Sequence, residues 1–283
     1  MSNLLIGATD IYDWSKVKVW ANSARDSGYD GDIVLLTYRI TNPEEYVREA
    51  QKLGIDVLSI DYDPWVNEIQ HNVRGRDTQS HQMRFFHMWQ YLQEHNGDYE
   101  YVITTDVRDV YFQRNPFHFV ENFYPELGDR LLASSEGIRY QDELWGLDNM
   151  RNGFGPIVTQ YAMPWEIYNV GVMAGRAEQM KNMFFKIYNM TVGRYIPSDQ
   201  SAYNIFVNLT DSTQFVRLQH DYGWACQCGT TMDPDKQHYL GKLVGPPPQI
   251  VDGKACTSQG DQYVIVHQYD RVSELKTNIE GLY

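Results

Sequence analysis

Cysteine is scarce in this chain. Three thiols in 283 residues, all late (Cys226, Cys228 and Cys256), make no disulfide framework, and a lone Cys-x-Cys lacks the second pair of a structural zinc site. Positive charge is short as well. Lys and Arg number 24 against 37 Asp and Glu, a net charge of −13, which repels phosphate backbones and anionic membranes. Nucleic-acid or membrane binding as the main task is therefore not expected. No run of about 18 apolar residues is present, so no membrane-spanning helix is expected. The segment MSNLLIGATDIYDW has no basic n-region and too short an apolar run for a signal peptide, which suggests a cytoplasmic protein with unused sequons at Asn189 and Asn208. Also missing are G-x-x-x-x-G-K-[ST], a G-x-G-x-x-G after the first strand, and G-x-S-x-G, which argues against P-loop kinases, dehydrogenases and α/β-hydrolases.

What is present is an ordinary globular composition, 42% hydrophobic and 22% charged, with many aromatics (Tyr 21, Trp 7, Phe 11). Short apolar runs over 3–7, 32–37 and 55–60 read as buried strands. Helical spacing fills 14–27 and 43–53, the latter opened by Pro43 and closed by Gly54. This βαβαβ order predicts an α/β fold with a mostly parallel, Rossmann-like central sheet and helices on both faces. Residues 61–78 read as a polar loop, 79–94 as a helix, and 101–105 (YVITT) as a buried strand that runs into Asp106-Val107-Arg108-Asp109. Strands are expected at 131–135, 169–174 and 263–268, and helices at 177–190, 198–208 and 271–280. The stretch 136–165 reads as polar and irregular, and 221–262 as a long loop or tail. No linker or repeat divides the chain, so a single domain is expected.

Asp106 and Asp109 at a strand's carboxyl end offer hard oxygen ligands suited to Mg²⁺ or Mn²⁺. The bland alternative has Asp106 capping a turn and Asp109 pairing with Arg108 or Arg114. Three further segments matter: Tyr168-Asn169-Val170-Gly171-Val172-Met173-Ala174-Gly175, Ser198-Asp199-Gln200 at a helix start, and Val264-Ile265-Val266-His267. In this order the four segments resemble the GT-A class of nucleotide-sugar glycosyltransferases, and they are similar more narrowly to sugar transferases encoded by large algal viruses. The Asp-x-x-Asp is one residue longer than that class's usual Asp-x-Asp metal motif.

The resemblance implies a metal site of Asp106, Asp109 and His267, with Asp109 as direct ligand and Asp106 as partner to the metal or the donor ribose. It implies donor-sugar contacts from Asn169 and Gln200. It also implies a UDP-sugar donor, a carbohydrate acceptor, a nucleotide-binding half over 1–110 and an acceptor-binding half over 111–283. Thr9, Asp10 and Tyr12, after the first strand, would meet the base. Arg76, Arg84 and Arg108 would meet phosphate or sugar. If the reaction inverts configuration, a carboxylate must take the acceptor's proton; Asp199 is the first candidate, with Glu136 and Glu166 behind it. Each residue also has a structural reading: Asp199 as a helix cap, His267 as a hydrogen-bonded core histidine, Arg84 as a stem over Phe85 or Trp89, and Trp145 and Trp165 as packing rather than an acceptor platform. The rival functions are a sugar nucleotidyltransferase, which would want a basic Gly-rich first loop, and a carbohydrate-binding protein without turnover.

Overall fold

A computed structural model describes residues 1–60, 79–194 and 196–283; Arg74 and Arg76 lie outside them. The chain opens with β1 (Ser2–Asp10), α1 (Trp14–Asp26), β2 (Asp32–Tyr38), α2 (Pro43–Lys52) and β3 (Ile55–Ile60), as the apolar pattern predicts. In α2, Asn42 caps the first turn by accepting from the Glu45 amide, and Pro43 stands where no amide hydrogen is needed. Next come α3 (Gln79–Glu94), β4 (Tyr99–Thr105), β5 (Val110–Phe112), α4 (Pro116–Leu127) and β6 (Leu131–Arg139). They are followed by α5 (Leu144–Ala162), β7 (Glu166–Arg176), α6 (Ala177–Thr191) and α7 (Asp199–Ile205). The remainder comprises β8 (Phe215–Leu218), β9 (Ala225–Gln227), α8 (Cys228–Thr231), β10 (Gln249–Val251), β11 (Lys254–Cys256), β12 (Ile265–His267) and α9 (Ser273–Glu280).

The central sheet has the order β3-β2-β1-β4-β7-β6-β8. It is parallel except where β7 runs against both β4 and β6. One face is covered by α1, α2 and α4, around Trp20, Tyr46 and Phe117. The other is covered by α3, α6 and α7, around Phe85, Phe184 and Tyr203. Helices thus lie on both faces, as expected. After β1 the chain steps outward to β2 and β3, then returns to place β4 on β1's other side. The carboxyl ends of β1 and β4 therefore diverge and leave a crevice at the point where strand order reverses, the usual ligand site of such sheets.

Two segments differ from the sequence reading. Residues 136–165 hold the long helix α5, even though Gly146, Gly153, Gly155 and Pro156 weaken its helical signal. The helix starts because the Glu143 carboxylate accepts from the amides of Trp145 (3.2 Å) and Gly146 (2.5 Å), and it bends at Gly155, whose φ of +82° interrupts the helical path. Residues 221–262, expected as a loop or tail, supply β9, α8 and the β10–β11 hairpin. β9 joins β12 and β5 in a separate three-stranded sheet of order β5-β12-β9. His267 is there in register with Val110 on one side and Gln227 on the other. Strands this short carry almost no periodic signal; they exist because distant partners meet.

Candidate active site

The small sheet brings His267 against the segment that follows β4. His267 Nε2 lies 3.4 Å from Asp106 Oδ2 and 3.7 Å from Asp109 Oδ1. One donor atom from each residue falls within 4.8 Å of the others, close enough to hold a metal ion. His267 and Asp109 are buried, whereas the Asp106 side chain is 35% exposed and forms the open side of the group. The carboxylate–imidazole donor set suits a divalent cation. Burial works against a charge on His267, yet the hydrogen bond to Asp106 and the charge of Asp109 raise its pKa. A proton on Nε2 and a cation are thus alternative ways to neutralise the same two carboxylates.

The opposite face of the imidazole is tied down. Nδ1 lies 2.7 Å from the Oε1 of Gln227, which is 1% exposed. With Nδ1–H donating to that oxygen, the Nε2 lone pair is aimed at Asp106 and Asp109, the arrangement that orients histidine metal ligands. Gln227→Met, which keeps the volume and removes the acceptor, is expected to weaken Mn²⁺ binding by about 10- to 100-fold, while Gln227→Glu retains it. The Mn²⁺ paramagnetic resonance signal, free against bound, measures this; equal affinity in all three proteins would overturn the role given to Gln227.

Arg84, from α3, is the second organising group. Its Nη1 meets Asp106 Oδ1 at 2.5 Å and its Nη2 meets Asp199 Oδ2 at 3.0 Å, so one fork joins the end of β4 to the start of α7. Burial opposes ionisation of Asp106, but Arg84 and His267 together hold its carboxyl well below the usual range. Arg84 thus acts through its guanidinium and does not merely cover Phe85. Arg108 pairs with Asp109 at 2.6 Å and approaches Asp270 at 3.6 Å. Asp109 therefore has the arginine partner of the bland reading and the metal-site geometry at once. Gly171 permits the close approach of β7: a Cβ there would come within 2.5 Å of Asp106 Oδ2 and 2.8 Å of Asn169 Oδ1.

Two cavities meet at this group. The first, about 500 Å³, is lined by Thr9, Asp10, Tyr12, Arg39, Arg108 and Asp109 among others. The second, about 430 Å³, is lined by Glu136, Trp145, Asn169, Asp199, Gln200 and His267 among others. They share His81, Arg84, Asp106 and Gln268. In the first, Asp10 is ion-paired to Arg39, and the half-exposed Tyr12 ring stands at the rim. In the second, Lys236 and Arg271 add positive charge, and Trp145 is 59% exposed, presenting a flat apolar face. Glu166, at the start of β7, lines neither cavity; its carboxylate accepts from the hydroxyl of Ser135 on β6.

Glu136 is buried and accepts from Asn169 Nδ2 at 2.8 Å and Thr230 Oγ1 at 3.1 Å. Burial raises its pKa, and the nearby Glu143 adds to the shift. A raised carboxyl favours folding while protonated, and that contribution is lost as pH climbs through the folded pKa. Glu136→Gln is therefore expected to be as stable as the natural chain or about 1 kcal/mol more stable at pH 7, with the gap closing below about pH 4, where both forms are neutral. Urea unfolding at the two pH values checks this, and a variant less stable at pH 7 would contradict it.

Gln227, Thr230, His81 and Gln268 carry no signal in the sequence that marks them for this site, whereas Gly171 lies inside the segment 168–175, which does. Gln227 and Thr230 fall in the stretch read as loop or tail, and His81 and Gln268 acquire a role only where the two cavities meet. No helix among the described residues is long and apolar enough to cross a membrane.

No protein-family model and no curated protein matches the chain. Among solved structures, galactosyltransferase LgtC in complex with donor and acceptor sugar analogs aligns with a TM-score of 0.55 and 14% identity, over 99% of this chain and 95% of that one. Mouse xyloside xylosyltransferase 1 in its apo form aligns with a TM-score of 0.51 and 13% identity, over 94% of this chain and 97% of that one. The apo glycosyltransferase GlyE of Streptococcus pneumoniae TIGR4 aligns with a TM-score of 0.51 and 14% identity, over 95% of this chain and 54% of that one. The narrower resemblance to viral transferases finds no support among these three. At such identities the likeness is one of architecture, and on that basis the chain has the GT-A fold of these glycosyltransferases.

Proposed function

We propose that the chain is a metal-dependent glycosyltransferase that moves a hexose, or a pentose such as xylose, from a nucleotide diphosphate donor to a carbohydrate hydroxyl, with a UDP-sugar as the expected donor. The observation that carries this reading is the junction of two cavities at Asp106, with the three metal-competent donors beside it. A reaction between two bound substrates needs adjoining rooms with the charge-stabilising group at their common wall. Mn²⁺ or Mg²⁺ held by Asp106, Asp109 and His267 would neutralise charge on the diphosphate leaving group.

In this reading the first cavity takes the nucleotide. Thr9 and Asp10 stand at the base edge, Tyr12 at its face, and Arg108 beside the phosphates. The donor sugar occupies the junction, within reach of Arg84, Asp199, Gln200 and Asn169, and the acceptor stacks on Trp145 in the second cavity. Lys236 and Arg271 supply positive charge that the acidic chain as a whole lacks. If the reaction inverts, Glu136 is the better proton acceptor: burial raises its proton affinity, whereas Asp199 is committed to Arg84. A retaining reaction needs no dedicated base. The anomeric configuration of the product, read by proton NMR, separates the two.

A thermal-shift screen of UDP, GDP, CDP and their sugars, each with Mn²⁺, with Mg²⁺ and with EDTA, tests the reading. A ligand at about 100 times its Kd adds about 2.7 kcal/mol, which for a chain of this size raises Tm by roughly 4–5 °C. A shift for one nucleotide family that vanishes in EDTA supports the assignment. No shift with any nucleotide, alongside binding of free glycans in EDTA, would replace it with a carbohydrate-binding protein.

A further inference from the structure

A second cluster of metal-competent atoms lies one strand away from the carboxylates. Cys226 Sγ is 3.6 Å from Cys228 Sγ, and the thioether of Met232 lies 3.8 Å from the first and 4.0 Å from the second. The three sulfurs form a nearly equilateral triangle. Both cysteines are buried, at 1% and 0% exposure, in an apolar cluster with Tyr263, Val266 and Leu275, while Met232 is partly buried and packs against that cluster. β9 ends and α8 begins between the two thiols, so strand and helix together hold the spacing, and Met232 returns to them from the far end of α8.

We infer that Cys226, Cys228 and Met232 form a binding site for a soft monovalent cation of the copper(I) class. A point equidistant from three sulfurs about 3.8 Å apart lies about 2.2 Å from each, against about 2.3 Å for a thiolate–metal bond. Two thiols and a thioether are soft donors, which select copper(I) over the hard cations that suit the carboxylate site. Zinc would want a fourth ligand. Among the described residues no further His, Cys, Asp or Glu joins this pair to make a cluster. The neighbouring Cys226 and burial push the Cys228 thiol well above its usual range, so it stays protonated until a cation displaces the proton. Each thiol that coordinates releases one proton to solvent, and no electron is transferred.

The test uses the reduced full chain under argon, with copper(I) presented by a competing bidentate chelator such as bicinchoninate. One copper(I) per chain is expected to stay with the protein. Cys228→Ala should lower retention by more than about tenfold, while Cys256→Ala, on the β10–β11 hairpin, leaves it intact. X-ray absorption at the copper edge of the unsubstituted protein should show sulfur neighbours only. Complete loss of copper to the chelator, retention unchanged in Cys228→Ala, a nitrogen or oxygen shell, or displacement by equimolar zinc would each overturn the site. The absorption measurement needs no variant, so it decides the matter even where a substitution disturbs folding. Copper retention is independent of nucleotide or sugar binding, and its failure leaves the transferase reading untouched.

Discussion

Asp109→Ala is expected to abolish the EDTA-sensitive thermal shift given by nucleotide and Mn²⁺, and to lower the rate of sugar transfer by about three orders of magnitude. The expectation follows from the donor set. With Asp109 gone, His267 and the one-third-exposed Asp106 remain, and two ligands hold a divalent ion far less well than three. Loss of the ion removes charge stabilisation worth several kcal/mol at the leaving group, and about 4 kcal/mol corresponds to roughly a thousandfold in rate. The fold should tolerate the change. Arg108 is one-third exposed and still has Asp270 at 3.6 Å, and the backbone carbonyl of Asp109 continues to accept from the Gln268 amide at 2.7 Å. Melting temperatures in EDTA should therefore differ by only a few degrees. An intact Mn²⁺-dependent shift in the variant would place the ion elsewhere.

Arg84→Met should have the largest effect on the folded chain itself, about 3 kcal/mol at pH 7 in EDTA. Its guanidinium sits between Asp106 and Asp199, and Asp199 is buried. Removing a buried cation leaves Asp199 without compensation and Asp106 with His267 alone, which costs about 3–5 kcal/mol; the low end applies because Asp106 keeps that partner and is partly solvated. The pH dependence has a definite sign. Arg84 lowers the Asp106 pKa, and a depressed carboxyl contributes stability above its unfolded value of about 3.9 that is lost as pH falls through its folded pKa. The gap between natural chain and variant should thus be full at neutral pH and narrow below about pH 4. Arg84→Lys, a point charge unable to fork, should fall between the two. Urea unfolding at pH 7 and pH 3 gives the comparison; an equal gap at both values would mean that lost packing, not charge, sets the cost.

How much of this was readable in the chain depends on distance along it. β1 to β4 and their helices are local patterns in which a buried strand is an apolar run and a helix is a repeat of about 3.6 residues, so their order was legible. Asp106 and Asp109 were legible too, because a polar pair directly after such a run can only stand at a strand's end. α5 was not, since Gly146, Gly153, Gly155 and Pro156 hide a helix whose start depends on the Glu143 side chain. β5 and β9 have three residues each and no periodicity of their own, whereas β12 falls inside the apolar run expected as a strand over 263–268.

The sequence by itself determined the class of fold, the parallel core and the acidic pair at the end of β4, because these follow from runs and repeats within a few dozen residues. Tertiary structure alone decided which cation neutralises which carboxylate. Arg84 reaches Asp199 across 115 positions, and Gln227 meets His267 across 40. It also decided that Glu166, similar in type to Glu136, faces Ser135 and not a cavity. Such contacts are a few ångströms long and join elements distant in sequence, so they exist only once the sheet has set its strand order and the helices have closed over it.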